Sequence, residues 1–260
     1  MFDVCTVLKT TLIMEKEILK KLREIEIEKD IEILFAVESG SRAWGFESPD
    51  SDYDIRFVYK HKREWYLNLW EQKDTIEFMT DLELDGSGWD IRKALKLLSK
   101  SNASFLGWLF SPVVYRGDKL LIEELRQLAI NNFNPVSGFY HYNSMNKGFE
   151  KTLGTKEMTL KSFFYTIRTA LCANWICKRG TVPPVYFKEL YPLIDKKYHS
   201  KLDSLILEKS KLIEKSTAPV SDDLVALVRE VIKENNVIKS DLKPSAAFYE
   251  DFNTFFIKTV

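Results

Sequence analysis

Between Glu15 and about Glu28 the apolar residues Ile18, Leu22 and Ile25 recur at helical spacing with Lys and Glu between them, which predicts an amphipathic surface helix. The run Ile31 to Val37 (IEILFAV) is β-branched and almost continuously apolar, as a strand buried on both faces should be. It ends in SGSRAWG. Beyond a polar turn from Glu47 to Ser51, the segment DYDIRFVY alternates, with Asp52, Asp54 and Arg56 on one face and Tyr53, Ile55 and Phe57 on the other. A third strand is expected from Thr75 to Thr80, followed by the polar stretch DLELDGSGWD. Asp90 then opens a helix whose Ile91, Leu95 and Leu98 share a face.

Ser111-Pro112 and Gly117-Asp118 punctuate the middle of the chain, and past them helical patterns take over: Lys119 to Ile130, Gly138 to Leu153, and Leu160 to Arg179. Thr159 is placed to cap the last of these and Gly180 to stop it, ahead of Pro183-Pro184. Further helices are expected around Lys196 to Ile213 and Ser221 to Asn236. The architecture read from this pattern is α+β, with a strand-and-helix part at 1–117 and an all-helical part at 118–260.

Composition narrows the function. The 260 residues include 38 basic and 38 acidic side chains, so the formal charge is zero and a protein that coats polyanions in bulk is disfavoured. Apolar residues make up 45%, enough for a substantial core. The three cysteines, Cys5, Cys172 and Cys177, are scattered without the spacing of a zinc site or a disulfide framework. No apolar run approaches the length of a membrane span and no leader pattern opens the chain, so a cytoplasmic location is expected.

The chemistry concentrates in Gly40-Ser41, ten residues, then Asp52-Tyr53-Asp54. Strand period two puts both carboxylates on one face, their Cα atoms about 6–7 Å apart, where they can converge on one divalent cation or bracket two. Carboxylate oxygens suit Mg²⁺, which typically takes one or two of them plus substrate phosphates. Gly40, without a Cβ, lets the backbone approach a phosphate, and Ser41 adds a hydroxyl. Phosphate on one side and metal on the other define an NTP site. Read without that context, the same residues are a turn and two solvated charges.

Gly-Ser, a gap of about ten residues and Asp-x-Asp in a strand resemble the signature of the DNA polymerase β-like nucleotidyltransferase superfamily. More narrowly, GSRAWGFESPDSDYDIRFVY, REWYLNL, GWDIRKALKLLSKSN, WLFSPVVY, HYNSMNKGF and FFYTIRTALCANWICKRGTVPP resemble the YcgL-like nucleotidyltransferases associated with RNA ligases. The resemblance covers most of the chain. It implies a mixed sheet with flanking helices, followed by a helical region. It also implies metal-dependent transfer of NMP from an NTP, with Mg²⁺ or Mn²⁺ as cofactor and an RNA end as a candidate acceptor. Carried over, Gly40 and Ser41 would hold the triphosphate while Asp52 and Asp54 would bind metal.

The superfamily usually adds a third carboxylate, which the residues leave open among Asp90, Glu77 and Asp85. Asp90 is preferred for its apolar–acid–apolar setting, although it could equally be an N-cap, and Asp85 ranks last. Arg42 could neutralise phosphate or pair with a nearby acid, and Trp44 and Asp50 read as structural. Lys161, Tyr165 and Arg168 share a helix face from which they could meet phosphate or base. His141 reads as an interfacial histidine. Competing functions are a nucleotide-sensing or nucleic-acid-binding module without turnover, adenylylation of a protein or small molecule, and a toxin–antitoxin-type pairing that would need a protein partner.

Overall fold

The computed structural model describes residues 4–260 apart from 82, 215, 217 and 218, with side chains from residue 12 onward, so Cys5 lies outside the described side chains. The chain opens with α1 (Val4–Lys29), whose Ile18, Leu22 and Ile25 stripe is buried. It then runs through β1 (Glu32–Glu38), α2 (Gly40–Trp44), β2 (Tyr53–Lys60), β3 (Thr75–Met79), β4 (Leu84–Asp90), α3 (Ile91–Leu98), α4 (Ala103–Leu109) and β5 (Val114–Gly117). The helices α5 (Lys119–Asn131), α6 (Pro135–Phe149), α7 (Leu160–Arg179), α8 (His199–Lys209), α9 (Asp222–Ile238) and α10 (Tyr249–Thr259) follow, joined by short 3₁₀ turns.

The five strands form one mixed sheet in the order β3-β4-β2-β1-β5, with β2 and β4 parallel and the other neighbours antiparallel. Strand β4 falls in the polar, glycine-containing stretch DLELDGSGWD, for which the sequence pattern gives no strand. The glycines are what admit it to the sheet: a Cβ on Gly86 would lie 2.0 Å from the Phe78 ring and one on Gly88 2.1 Å from the Phe57 ring. Two aromatic rings therefore occupy the space over β4 where side chains would otherwise stand.

One face of the sheet packs Ile33, Ala36, Ile55, Phe57, Tyr59 and Leu84 against α1. The other face, with Leu34, Phe35, Val37 and Val58, joins a single apolar cluster that continues through α3 and α4 into the helices as far as Phe255. Helix α7 is the spine of that cluster: Thr159 and Ser162 form a capping box, Gly180 closes it in the left-handed conformation, and thirteen of its residues are buried. Helix α10 returns to the sheet side, where Arg92 lies over the rings of Tyr66 and Phe256 and Lys60 Nζ donates to the Thr259 carbonyl. Cys172 is buried and Cys177 half-buried, both as free thiols. Among the described residues no helix is long and apolar enough to cross a membrane.

Candidate active site

Strand β1 ends at Glu38, and the chain turns at Gly40, with φ +62°, into the single turn of α2. The turn is stitched to β2 by Ser39 N–H, which donates to the Asp54 carbonyl at 2.8 Å. Gly40 lies directly against the Asp54 carboxylate, since a Cβ there would come within 2.0 Å of Asp54 Oδ2. Its second reason to be glycine is the positive φ, which costs an L side chain about 1–2 kcal/mol.

Beside Asp54, in register on the parallel strand β4, is Asp85. One guanidinium serves both carboxylates: Arg56 Nη2 donates to Asp54 Oδ1 at 2.8 Å and to Asp85 Oδ2 at 2.9 Å, while Nη1 donates to the Asp85 carbonyl at 2.8 Å. Burial raises the Asp54 carboxyl above the ordinary range; the Arg56 charge opposes this, and the charges of Asp85 and Asp52 push it further up. Asp52, at the entrance to β2, is exposed.

The three candidates for a third carboxylate lie in different places. Asp90, at the far end of β4, is five residues from Asp85, roughly 17 Å along a strand. It is fully buried as the N-cap of α3, accepting from Arg92 N–H at 2.8 Å and from the Tyr66 hydroxyl at 2.8 Å. Glu77 is exposed on the edge strand β3, paired with Ser87. Asp85 takes the place beside Asp54 because β4 runs parallel to β2, a pairing that no local pattern reveals.

The charge and donor type of this corner fit a divalent cation: hard oxygen donors on adjacent strands repel one another and already share a positive side chain. In the arrangement described no three His, Cys, Asp or Glu side chains are gathered to cage an ion among the described residues. Arg56 stands where the neutralising charge is needed.

The residues expected to meet phosphate come from α2 and α7. Ser41 is almost buried and its Oγ donates to Ser51 Oγ at 3.2 Å. From α7, Tyr165 packs edge-on to Trp44 at 4.9 Å, and its hydroxyl is raised above its ordinary value by burial and by the charges of Asp54 and Glu214. Lys161 pairs with Glu214. Two expected phosphate ligands are placed otherwise. Arg168 is 3% exposed, stacked at 4.2 Å over Trp44 and donating to the Val185 carbonyl, so it is a buried brace. Arg42 lies over the Tyr53 ring and spends its donors on the Ser51 and Asp52 carbonyls, fastening the loop that carries Asp52. His141 Nδ1 accepts from Ala103 N–H, a structural contact.

Sequence reasoning passes over Glu38, which reads as the polar end of an apolar strand. Its side chain is buried; Oε1 accepts from the backbone N–H groups of Asp54 (2.8 Å) and Ser39 (3.1 Å), and Oε2 accepts from the Tyr115 hydroxyl. It thus ties the glycine turn to the acidic strand. Burial pushes its carboxyl up to about 7, against the Tyr115 hydrogen bond and helped by the Asp54 charge. The native state then binds this proton more tightly than the unfolded chain does. The group's contribution to stability is full below its ordinary value near 4.5 and is lost as pH rises through about 7. Between pH 4.5 and 8, chelated wild type should lose roughly 3 kcal/mol relative to Glu38→Gln in denaturant titrations. A difference that does not change with pH contradicts the assignment.

The comparisons bear on what this corner belongs to. The profile of the RNA repair pathway DNA polymerase β family matches residues 14–258. The chain belongs to that family. It is also 43% identical over 178 residues, 68% of each chain, to the uncharacterised protein YcgL of Bacillus subtilis (strain 168). A crystal structure of a nucleotidyltransferase-like protein from Exiguobacterium sibiricum 255-15 aligns over 95% of this chain and 79% of that one, at 11% identity and a TM-score of 0.31, too loosely to carry an argument. Membership in a polymerase β family supports a nucleotidyltransferase role for the chain.

Proposed function

We propose that the chain transfers a nucleoside monophosphate from an NTP to an acceptor hydroxyl, releasing pyrophosphate, and that the acceptor is an RNA end. The observation that carries this reading is the pair Asp54 and Asp85, in register on adjacent strands, set against Gly40 and sharing one cationic side chain. Membership in a family described by its RNA repair pathway supports the acceptor class. Mg²⁺ or Mn²⁺ held by one or two of Asp52, Asp54 and Asp85 together with the substrate phosphates would neutralise the charge that develops on the transferring phosphoryl group.

The protein's own groups do the positioning. Gly40 leaves room for phosphate oxygens beside the backbone, and the Ser41 and Ser51 hydroxyls donate to them. Lys161 neutralises the polyphosphate tail, and Tyr165, near enough to Asp54 to feel its charge, borders the nucleotide. The bond from the α-phosphorus to the pyrophosphate oxygen breaks as one to the acceptor oxygen forms. The acceptor proton passes to Asp85, whose side chain is 36% exposed against 26% for Asp54. Arg56 releases at least one carboxylate as this happens. The helical part, 118–260, supplies the wall of the cleft through α7 and the segment after α8.

One observation favours a second reading, a nucleotide-binding module without turnover: Arg56 already neutralises the carboxylate pair. Incubation with each α-labelled NTP, Mg²⁺ or Mn²⁺ and total RNA separates the two. Transfer predicts label in RNA and stoichiometric pyrophosphate. NTP binding with no pyrophosphate supports the module, and label in protein alone overturns the RNA acceptor.

A further inference from the structure

The segment that leaves α8 crosses the loop between α2 and β2 at its most polar point. Lys209, the last residue of α8, is 1% exposed, and its Nζ donates to Ser48 Oγ at 2.8 Å. Five residues on, Glu214 N–H donates to the Asp50 carboxylate at 2.9 Å. The Glu214 side chain then turns inward: Oε1 accepts from Ser51 Oγ at 2.8 Å and Oε2 from Lys161 Nζ. Ser51 Oγ in turn accepts from Ser41 Oγ and from Ser48 N–H. Burial raises the Glu214 carboxyl, but Lys161, Ser51 and the nearby charge of Lys209 outweigh that and hold it below the ordinary range.

One carboxylate thus sits on the Ser51 hydroxyl and the Lys161 ammonium, groups that a phosphate would use, with the Lys209 charge nearby and the Gly40-Ser41 turn beside it. We infer that Glu214 is a built-in stand-in for the terminal phosphates of the nucleotide, occupying a polyphosphate subsite made by Ser51, Lys161 and Lys209 until substrate displaces it. This rests on the nucleotidyl-transfer reading and adds to it an occupant from the helical part. A carboxylate offers two oxygens and one charge, whereas a terminal phosphate offers three oxygens and a larger charge, so polyphosphate wins the ammonium groups in direct exchange. Glu47 and Asp50 face Lys209 as well, and they remain at the rim to set the strength of the exchange. Displacement also breaks the Glu214 N–H bond to Asp50, which removes one tie between the helical part and the 47–52 loop that leads to Asp52.

The test is binding of inorganic tripolyphosphate and of a non-hydrolysable NTP to the full chain by calorimetry. Removing the competitor in Glu214→Gln should tighten both by about tenfold, the penalty of a binding-competent state populated at about 10%. Lys161→Gln should weaken both. A second readout needs no variant: in wild type, tripolyphosphate should accelerate hydrogen exchange at the Glu214 amide. Equal or weaker binding by Glu214→Gln, or an amide that exchanges more slowly with ligand, overturns the stand-in while leaving the nucleotide site intact. Absence of binding by both wild type and Glu214→Gln overturns the stand-in together with the nucleotide site.

Discussion

Asp54→Asn and Asp85→Asn are each expected to lower pyrophosphate release by about 10³-fold, on the order of 4 kcal/mol of transition-state stabilisation, with the fold intact. Both changes keep the shape of the side chain and remove a formal charge from a corner where two carboxylates share Arg56. Stability should rise slightly in Asp54→Asn, because the burial and the repulsion from Asp85 and Asp52 that raise this carboxyl are costs of keeping it ionised. Loss of activity with unchanged or higher melting temperature is the signature of a group held in place for chemistry. Loss of activity together with loss of the fold would make the pair structural.

Gly40→Ala should be nearly as damaging by a different route. The new methyl carbon would lie 2.0 Å from Asp54 Oδ2 at a φ of +62°, so either the glycine turn or the acidic strand must move. A displacement near 1 Å at a reacting group costs about 10²-fold in rate, and the positive φ costs a further 1–2 kcal/mol or so of stability. Gly180 provides the control. It has φ +66° and open space for 4 Å around the point where a methyl would stand, so Gly180→Ala should carry a comparable backbone cost with activity per folded molecule unchanged. If the two alanine variants lose activity equally, the contact between Gly40 and Asp54 is unimportant.

Much of this corner is legible in the chain. The continuous apolar run before Gly40 and the alternation through Asp52, Asp54 and Arg56 depend only on local period, and β1 and β2 form as that period requires. The Thr159 cap and Gly180 stop of α7 are local signals as well. What stays hidden depends on contacts distant in sequence. Strand β4 carries no strand signal because its glycines make sense only beneath Phe57 and Phe78, and without β4 there is no reason to set Asp85 beside Asp54. Asp90 reads as the better candidate because an acid between two apolar residues resembles a strand ligand, but it caps α3. Arg168 lies on the face its spacing predicts, yet its burial over Trp44 follows from how α2 docks on α7. Glu38 and Glu214 carry no sequence signal, since each acts through a partner at least 16 residues away.

The measurement that bears most directly on the central claim compares Asp85→Asn with Asp90→Asn, both read as Mg²⁺-dependent transfer of label from an α-labelled NTP and normalised to folded protein. Asp90→Asn, which can still cap α3, should retain wild-type transfer, and Asp85→Asn should lose it by about 10³-fold. Full transfer by Asp85→Asn, or its loss only in Asp90→Asn, would contradict the site described by Gly40, Asp54 and Asp85.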